Sequence, residues 1–152
     1  MARRHNNQKK MSKFKYFTLA ELLRSETAAV RHIDNTPSFE IVENLARLTE
    51  KILDPLRAAY GKPITVTSGY RCEKLNKAVG GVNGSAHLRG DAADLRAADM
   101  PGFKRFVEAW LRAGGAKFDQ CLLEKSGSTE WVHISYCSAT GSQRGQIKLI
   151  EK

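Results

Sequence analysis

Apolar residues recur every three or four positions in the first half of the chain, as in amphipathic helices. The longest such stripe consists of Ile41, Leu45, Leu48, Ile52 and Leu56. Thr36-Pro37 supplies a cap residue followed by a proline suited to a first helical position. Gly61 is a typical residue just after a helix. The pattern therefore predicts a long helix that begins at Thr36-Pro37 and ends at Gly61.

Three shorter helices are predicted around it. Thr18 and Glu21 form a T-x-x-E capping box, which opens a short helix through about Leu23. A brief helical piece covers residues 75–79. Another helix begins at Pro101 and stops at Gly114-Gly115. One face of this last helix carries Phe103, Phe106, Val107, Trp110 and Leu111.

Short apolar runs, several with alternating character, predict strands and lie mostly in the second half of the chain. They cover residues 64–66, 92–95, 120–123, 131–136 and 146–150. Helices that precede a group of strands indicate an α+β fold. We therefore predict a small, mainly antiparallel sheet with helices packed on one face.

Charge divides the chain into an arm and a domain. Six basic residues precede the first acidic residue, Glu21, in a chain whose formal net charge is +9. We predict a basic, disordered arm over residues 1–15 and a single domain over residues 16–152. Met11 is an alternative start. A solvated tail is favoured over a specific binding element, and no recognition helix or aromatic–basic pattern indicates a nucleic-acid partner.

The chain lacks an apolar run of the roughly 20 residues needed to span a bilayer. No apolar h-region follows the basic start. We therefore expect cytoplasmic synthesis without a signal peptide and no membrane partner. The three cysteines, Cys72, Cys121 and Cys137, match no common zinc or redox spacing and are expected to be reduced.

Two of the four histidines lie in constrained settings. His87 lies between a glycine-rich stretch and a strand, and His133 lies in the middle of a strand. Alternation places His133 with Trp131 and Ser135, opposite the apolar face of that strand. Two imidazoles and one carboxylate are a common ligand set for catalytic zinc. Asp94 is the candidate carboxylate, with Asp91 an alternative by proximity.

Water bound to zinc at such a site becomes a usable nucleophile when a nearby carboxylate takes its proton. Glu130 precedes His133 by three residues, so it must lie in a turn or bulge to reach the same face. Glu124, at the end of the neighbouring strand, is the competing base. The spacing leaves both open.

Several motifs together resemble the M15 family of zinc D-Ala-D-Ala carboxypeptidases and phage endolysins. They are Ser68-Gly69-Tyr70-Arg71, Asn76 with Gly80-Gly81-Val82, Ser85-x-His87-x-x-Gly90-x-Ala92-x-Asp94, Phe118-Asp119-Gln120 and Trp131-Val132-His133-Ile134-Ser135. The resemblance implies the α+β fold shared with the hedgehog signalling domain. It also implies one zinc ion held by His87, Asp94 and His133. Arg71, Ser85 and Tyr70 would then contact the substrate, with Arg71 polarising the scissile carbonyl. Glu130 would act as the base, with Glu124 as the alternative.

This resemblance implies a zinc peptidase that cuts peptidoglycan stem peptides at a bond involving a D-amino acid. It leaves open whether the enzyme is a D,D-carboxypeptidase or an endolysin-type endopeptidase. The alternative is a non-catalytic peptidoglycan-binding module of a phage or prophage particle. We expect a monomer that reaches the cell wall after lysis or holin-type release.

Overall fold

The computed structural model describes residues 14–152. The arm predicted over residues 1–15 lies outside them except for its last two positions. The helices are α1 (Leu19–Leu23), α2 (Glu26–Val30), α3 (Phe39–Leu48), α4 (Asp54–Tyr60), α5 (Glu73–Ala78) and α6 (Met100–Arg112). The strands are β1 (Thr65–Ser68), β2 (Ala92–Arg96), β3 (Gln120–Ser126), β4 (Thr129–Ser135) and β5 (Gln146–Glu151).

The long helix predicted from the apolar stripe is present, but its predicted start is wrong by two residues. Ser38 is the N-cap, and its Oγ accepts a hydrogen bond from the backbone N–H of Ile41 at 3.2 Å. Thr36 instead belongs to a turn, because its backbone N–H donates to Asp34 Oδ1 at 3.0 Å. The Thr36 hydroxyl also donates to Asp34 Oδ1, so the Thr36 side chain is bonded to this local turn and does not cap the helix.

The same stripe continues through a π-helical turn (Thr49–Leu53) into α4, which ends at Gly61 as predicted. Gly61 has a φ of 72°, in the left-handed region that favours glycine at this position. Leu45, Leu48, Ile52 and Leu56 are all fully buried. The apolar period therefore identified a nearly continuous helical segment that packs along the core.

The five strands form one sheet in the order β1-β2-β4-β3-β5. All neighbouring pairs are antiparallel except β3 and β5, which are parallel. One face of the sheet joins α3, α4 and α6 in the main core, with Leu95, Val132 and Ile134 fully buried. The prediction of an α+β domain with a mainly antiparallel sheet is confirmed.

A clamp between Asp119 and Arg144 anchors the last strand. Arg144 donates from Nε to Asp119 Oδ1 at 3.0 Å and from Nη2 to Oδ2 at 2.9 Å. These side-chain hydrogen bonds hold the pKa of Asp119 below its ordinary value. The backbone N–H of Gln146 donates to the Asp119 carbonyl at 3.0 Å, so the clamp lies where β5 enters the sheet.

Among residues 14–152, no helix combines the length and the apolar character that a bilayer span requires.

Candidate metal centre and active site

His87, Asp94 and His133 come together on the face of the sheet opposite the main core. Asp94 on β2 and His133 on β4 are directly paired across the antiparallel ladder. His87 arrives from a separate 3₁₀ turn (Ala86–Arg89). Asp94 Oδ1 lies 3.2 Å from His87 Nε2 and 3.1 Å from His133 Nδ1. Each residue offers one ligand atom, and the three atoms lie within 4.8 Å of one another.

The turn that carries His87 explains the spacing of the motif around it. Ser85 caps the turn, because its Oγ accepts the backbone N–H of His87 at 3.2 Å. Gly90 ends the turn with a φ of 73°, and a Cβ there would lie 2.9 Å from the carbonyl oxygen of Ile41. Only glycine combines this backbone conformation with such close packing against α3. The serine and the glycine therefore position the histidine between them.

The hydrogen bonds of His87 show that the cluster suits a cation. His87 Nδ1 lies 2.6 Å from the Gly69 carbonyl oxygen. A carbonyl oxygen can only accept, so Nδ1 carries a proton, and Nε2 is the ring nitrogen that faces Asp94. Nε2 and Asp94 Oδ1, 3.2 Å apart, attract each other only through a cation between them, which is either a proton on Nε2 or a metal ion. Backbone anchoring of the second ring nitrogen is also typical of metal-binding histidines.

Asp94 is negatively charged in this setting. Burial acts to raise the pKa of its carboxyl. The adjacent His87, together with the hydrogen bonds to His133 and His87, outweighs that cost and holds the pKa well below its usual range. Two imidazoles and an ionised carboxylate match the nitrogen and oxygen donors preferred by catalytic zinc.

Asp91, the alternative acidic ligand, lies outside the cluster. It is almost fully buried, and its Oδ2 accepts from Arg89 Nε and from the backbone N–H of Ser138, both at 3.4 Å. Asp91 thus connects the turn after His87 to the segment that follows β4. The structure brings Asp94 to the histidines and leaves Asp91 in a supporting position.

Glu130 lies on the wrong face of the sheet to reach this cluster. It pairs with Lys125 in an unbroken ladder, and it shares the core face of β4 with Val132 and Ile134. Its Oε1 accepts from Lys104 Nζ on α6 at 3.0 Å. The turn or bulge that Glu130 would need is not present.

Glu124 lies on the same face as the cluster. It pairs across the ladder with Trp131, and its strand neighbour Leu122 pairs with His133. Glu124 is therefore a diagonal neighbour of His133, roughly 7–8 Å away between Cα atoms. The indole Nε1 of Trp131 donates to Glu124 Oε2 at 2.8 Å, which fixes the carboxylate and leaves Oε1 free of that bond.

Arg71 lies at the β1 side of the cluster. Its backbone N–H donates to the His87 carbonyl at 3.1 Å, which ties its loop to the 3₁₀ turn. Its Nε is buried and has no hydrogen-bond partner among the described residues. Burial lowers the pKa of Arg71, and the nearby charge of Asp94 acts in the opposite direction. A buried donor without a protein partner is suited to a ligand oxygen.

The other two predicted substrate-binding residues, Tyr70 and Ser85, lie close in sequence to Arg71 and His87. Tyr70 and Arg71 line a groove of about 480 Å³ that also includes Ser68 and Val79. Burial raises the pKa of the Tyr70 phenol, with smaller effects from Cys72 and Asp34. Ser85 Oγ accepts a bond within its own turn, and its hydroxyl hydrogen stays available. Substrate contact by Tyr70 and Ser85 remains a prediction.

Two contributors were missed from the sequence. Gly69 provides the carbonyl that orients His87, and a Cβ at this position would lie only 2.2 Å from the Leu22 carbonyl oxygen. Trp131 was recognised as sharing a face with His133, but its bond to Glu124 was not foreseen. The alternation of side chains along both β3 and β4 was the signal from which the bond between Trp131 and Glu124 could have been predicted.

The sheet and its His–Asp–His cluster define a protein with a candidate metal centre of the kind found in hydrolytic enzymes. The family model described as Peptidase M15 matches residues 15–135, and the chain belongs to this family of metal-dependent peptidases. The matched range contains the three cluster residues, Arg71 and both glutamates. The resemblance seen in the sequence motifs is therefore confirmed at the level of the family. A comparison with curated proteins finds no match.

Proposed function

We propose that the chain is a zinc peptidase that hydrolyses peptidoglycan stem peptides at a bond involving a D-amino acid. The observation that carries the proposal is the convergence of His87, Asp94 and His133 on one face of the sheet, within an M15 peptidase. The motifs that resemble D-Ala-D-Ala carboxypeptidases and endolysins support the choice of substrate.

Zinc is the metal that best suits two imidazoles and one carboxylate. When bound, it would supply Lewis-acid activation of water and of the scissile carbonyl. His87, Asp94 and His133 would hold it. The Gly69 carbonyl keeps Nε2 of His87 free for the metal, and the ladder between β2 and β4 sets the spacing of the other two ligands.

We assign the proton transfers to Glu124. Glu124 lies on the cluster face of the neighbouring strand, and its carboxylate is oriented by Trp131. Oε1, which accepts no hydrogen bond among residues 14–152, would take the proton of the attacking water and return it to the departing amine. Glu130 is assigned a structural role, because its carboxylate is paired with Lys104 on the other side of the sheet.

Arg71 is assigned to the substrate. Its unpartnered Nε–H, close to the negative Asp94, is suited to a peptide carbonyl or carboxylate oxygen beside the scissile bond. Charge that develops on a carbonyl oxygen during attack would strengthen this hydrogen bond.

Replacing Arg71 with lysine is expected to lower kcat/KM by about 100-fold, because an ammonium group cannot reproduce the planar donors of arginine. Steady-state kinetics on a stem peptide would measure the loss. The matched control is Arg105→Lys on the exposed side of α6, which should retain wild-type kinetics. Wild-type kcat/KM in Arg71→Lys would remove Arg71 from the proposed site.

Digestion of purified muropeptides by the zinc-loaded protein, read by mass spectrometry, tests the proposed function. Loss of one D-Ala would identify a carboxypeptidase, and fragments cut within the stem or cross-link would identify an endopeptidase. His133→Ala serves as the inactive control. No product from wild-type protein with zinc bound would contradict the proposal and favour a peptidoglycan-binding module.

A further inference from the structure

The face of the sheet that carries the metal cluster continues for two strands beyond His133. His133 pairs with Leu122 on β3, and Leu122 pairs with Lys148 on β5. Asp94, His133, Leu122 and Lys148 therefore form one row across four strands. Paired residues of a ladder project from the same face, so Lys148 lies on the side of the proposed active site.

The packing of β5 confirms this orientation. Ile147, the preceding residue, packs against the main core, so Lys148 projects from the opposite face. Lys148 is exposed, and among residues 14–152 its ammonium group makes no hydrogen bond or ion pair. Two strand spacings separate it from His133, or roughly 10 Å between backbones. Lys148 is thus a free cation on the cluster face.

The surroundings of Lys148 form a surface suited to a peptide. In the adjacent row, Gln120 Nε2 donates to Gln146 Oε1 at 3.0 Å, which gives a polar edge. Leu122 is half-buried and lies between His133 and Lys148 as an apolar floor. We call the surface formed by Gln120, Leu122, Gln146 and Lys148 the β5 shelf. The clamp between Asp119 and Arg144 anchors it at the start of β5.

The β5 shelf and Arg71 lie on opposite sides of the cluster. Arg71 follows β1, at one edge of the sheet, and Lys148 lies on β5, at the other edge. A peptide whose scissile bond lies at the cluster and whose nearby oxygen contacts Arg71 would extend its other end over the shelf. The residues matched by the family model end at position 135, so β5 lies beyond them.

We propose that Lys148 is a specificity-determining residue that binds a carboxylate on the part of the peptide substrate extending away from Arg71. The inference rests on the proposed peptidase function, since it takes the metal cluster as the site of cleavage. In an extended peptide, a carboxylate about three residues from the scissile bond lies roughly 10 Å from it. The α-carboxylate of the D-Glu in a stem peptide has that placement relative to a terminal D-Ala-D-Ala bond.

Two synthetic pentapeptides test this assignment. One is L-Ala-γ-D-Glu-L-Lys-D-Ala-D-Ala with a free α-carboxylate on D-Glu, and the other carries an amide at that position. Cleavage is measured as kcat/KM with the zinc-loaded protein. Binding is measured separately with fluorescently labelled peptides in a Glu124→Gln background, which lacks the proposed base, with and without each Lys148 substitution. Glu124 is a diagonal neighbour of Lys148, so the same background is kept in every comparison.

Wild-type protein should show about fivefold higher kcat/KM and affinity for the carboxylate peptide than for the amide peptide, in keeping with an exposed ion pair. High salt should weaken this preference. Lys148→Gln should abolish the preference in both cleavage and binding, and Lys148→Arg should restore it. The matched control is Lys125→Gln, an exposed lysine on the opposite face of the sheet, which should retain the full preference.

The outcomes separate this inference from the proposed function. In one outcome, wild-type protein cleaves neither peptide, but the tighter binding of the carboxylate peptide disappears when Lys148 is replaced with glutamine. That result would support carboxylate binding by Lys148 and contradict the proposed peptidase activity. Equal use of the two peptides by wild-type protein would overturn the assignment of Lys148. The assignment of Lys148 would also be overturned if Lys148→Gln kept the preference for the carboxylate peptide. The same holds if it lowered kcat/KM and affinity equally for both peptides.

Discussion

Glu124→Gln is expected to lower kcat by about 10²- to 10⁴-fold, the usual contribution of a general base. Glutamine keeps the shape of the side chain and can still accept the Trp131 indole bond, but it cannot take a proton. Zinc binding should be unchanged, because Glu124 is not one of the three cluster residues. Single-turnover cleavage of a stem peptide, together with the zinc content of each preparation, measures both properties.

Glu130→Gln is the matched control for that experiment. It removes the ion pair with Lys104, on the opposite face of the sheet, and should slightly lower the melting temperature while kcat stays near the wild-type value. The reverse result, an active Glu124→Gln and an inactive Glu130→Gln, would show that the base acts from a different conformation of β4.

The second large effect is expected at the metal. His133→Ala should weaken zinc binding by more than about 100-fold, because even loss of an outer-shell partner costs 10- to 100-fold in metal affinity. Competition with a chromogenic chelator gives the affinity, and elemental analysis gives the stoichiometry. Activity on stem peptides should fall with the bound zinc.

His32→Asn is the matched control at an exposed histidine outside the cluster. His32 has a φ of 55°, and asparagine is tolerated in this left-handed conformation. The variant should bind one zinc ion with wild-type affinity. Tight zinc binding by His133→Ala would show that the metal is held by other residues, and the assignment of the cluster would be withdrawn.

The sequence predicted those features that depend on local periodicity. The apolar stripe from Ile41 to Leu56 correctly predicted the long helix, because buried positions on a helix recur with the helical period. Strand alternation correctly placed His133 on the face opposite Val132 and Ile134. Each conclusion needed only the residues of one element.

Features that depend on exact element boundaries were harder to predict. Glu130 would face the cluster only if it lay in a turn or bulge, but β4 begins at Thr129 and pairs without interruption. Ordinary alternation then turns its carboxylate to the core. The start of α3 was misplaced for a related reason, because Thr36 bonds to Asp34 and Ser38 supplies the cap two residues later.

Contacts between distant segments could not be read from the chain at all. The bond between His87 and the Gly69 carbonyl joins residues 18 positions apart, and its partner is a backbone group present in every residue. The parallel pairing of β3 with β5, which puts Lys148 in the row of His133, also depends on the path of the connecting segment. Motif resemblance identified His87 without revealing what orients it.

Titration of chelator-treated protein with zinc, followed by cleavage of a stem peptide ending in D-Ala-D-Ala, tests whether one zinc ion is needed for peptide cleavage. We predict no cleavage without metal and activity that rises in proportion to added zinc until one equivalent is bound. Cleavage that survives removal of the metal, or one tightly bound zinc ion without any cleavage, would contradict a single-zinc peptidase built on His87, Asp94 and His133.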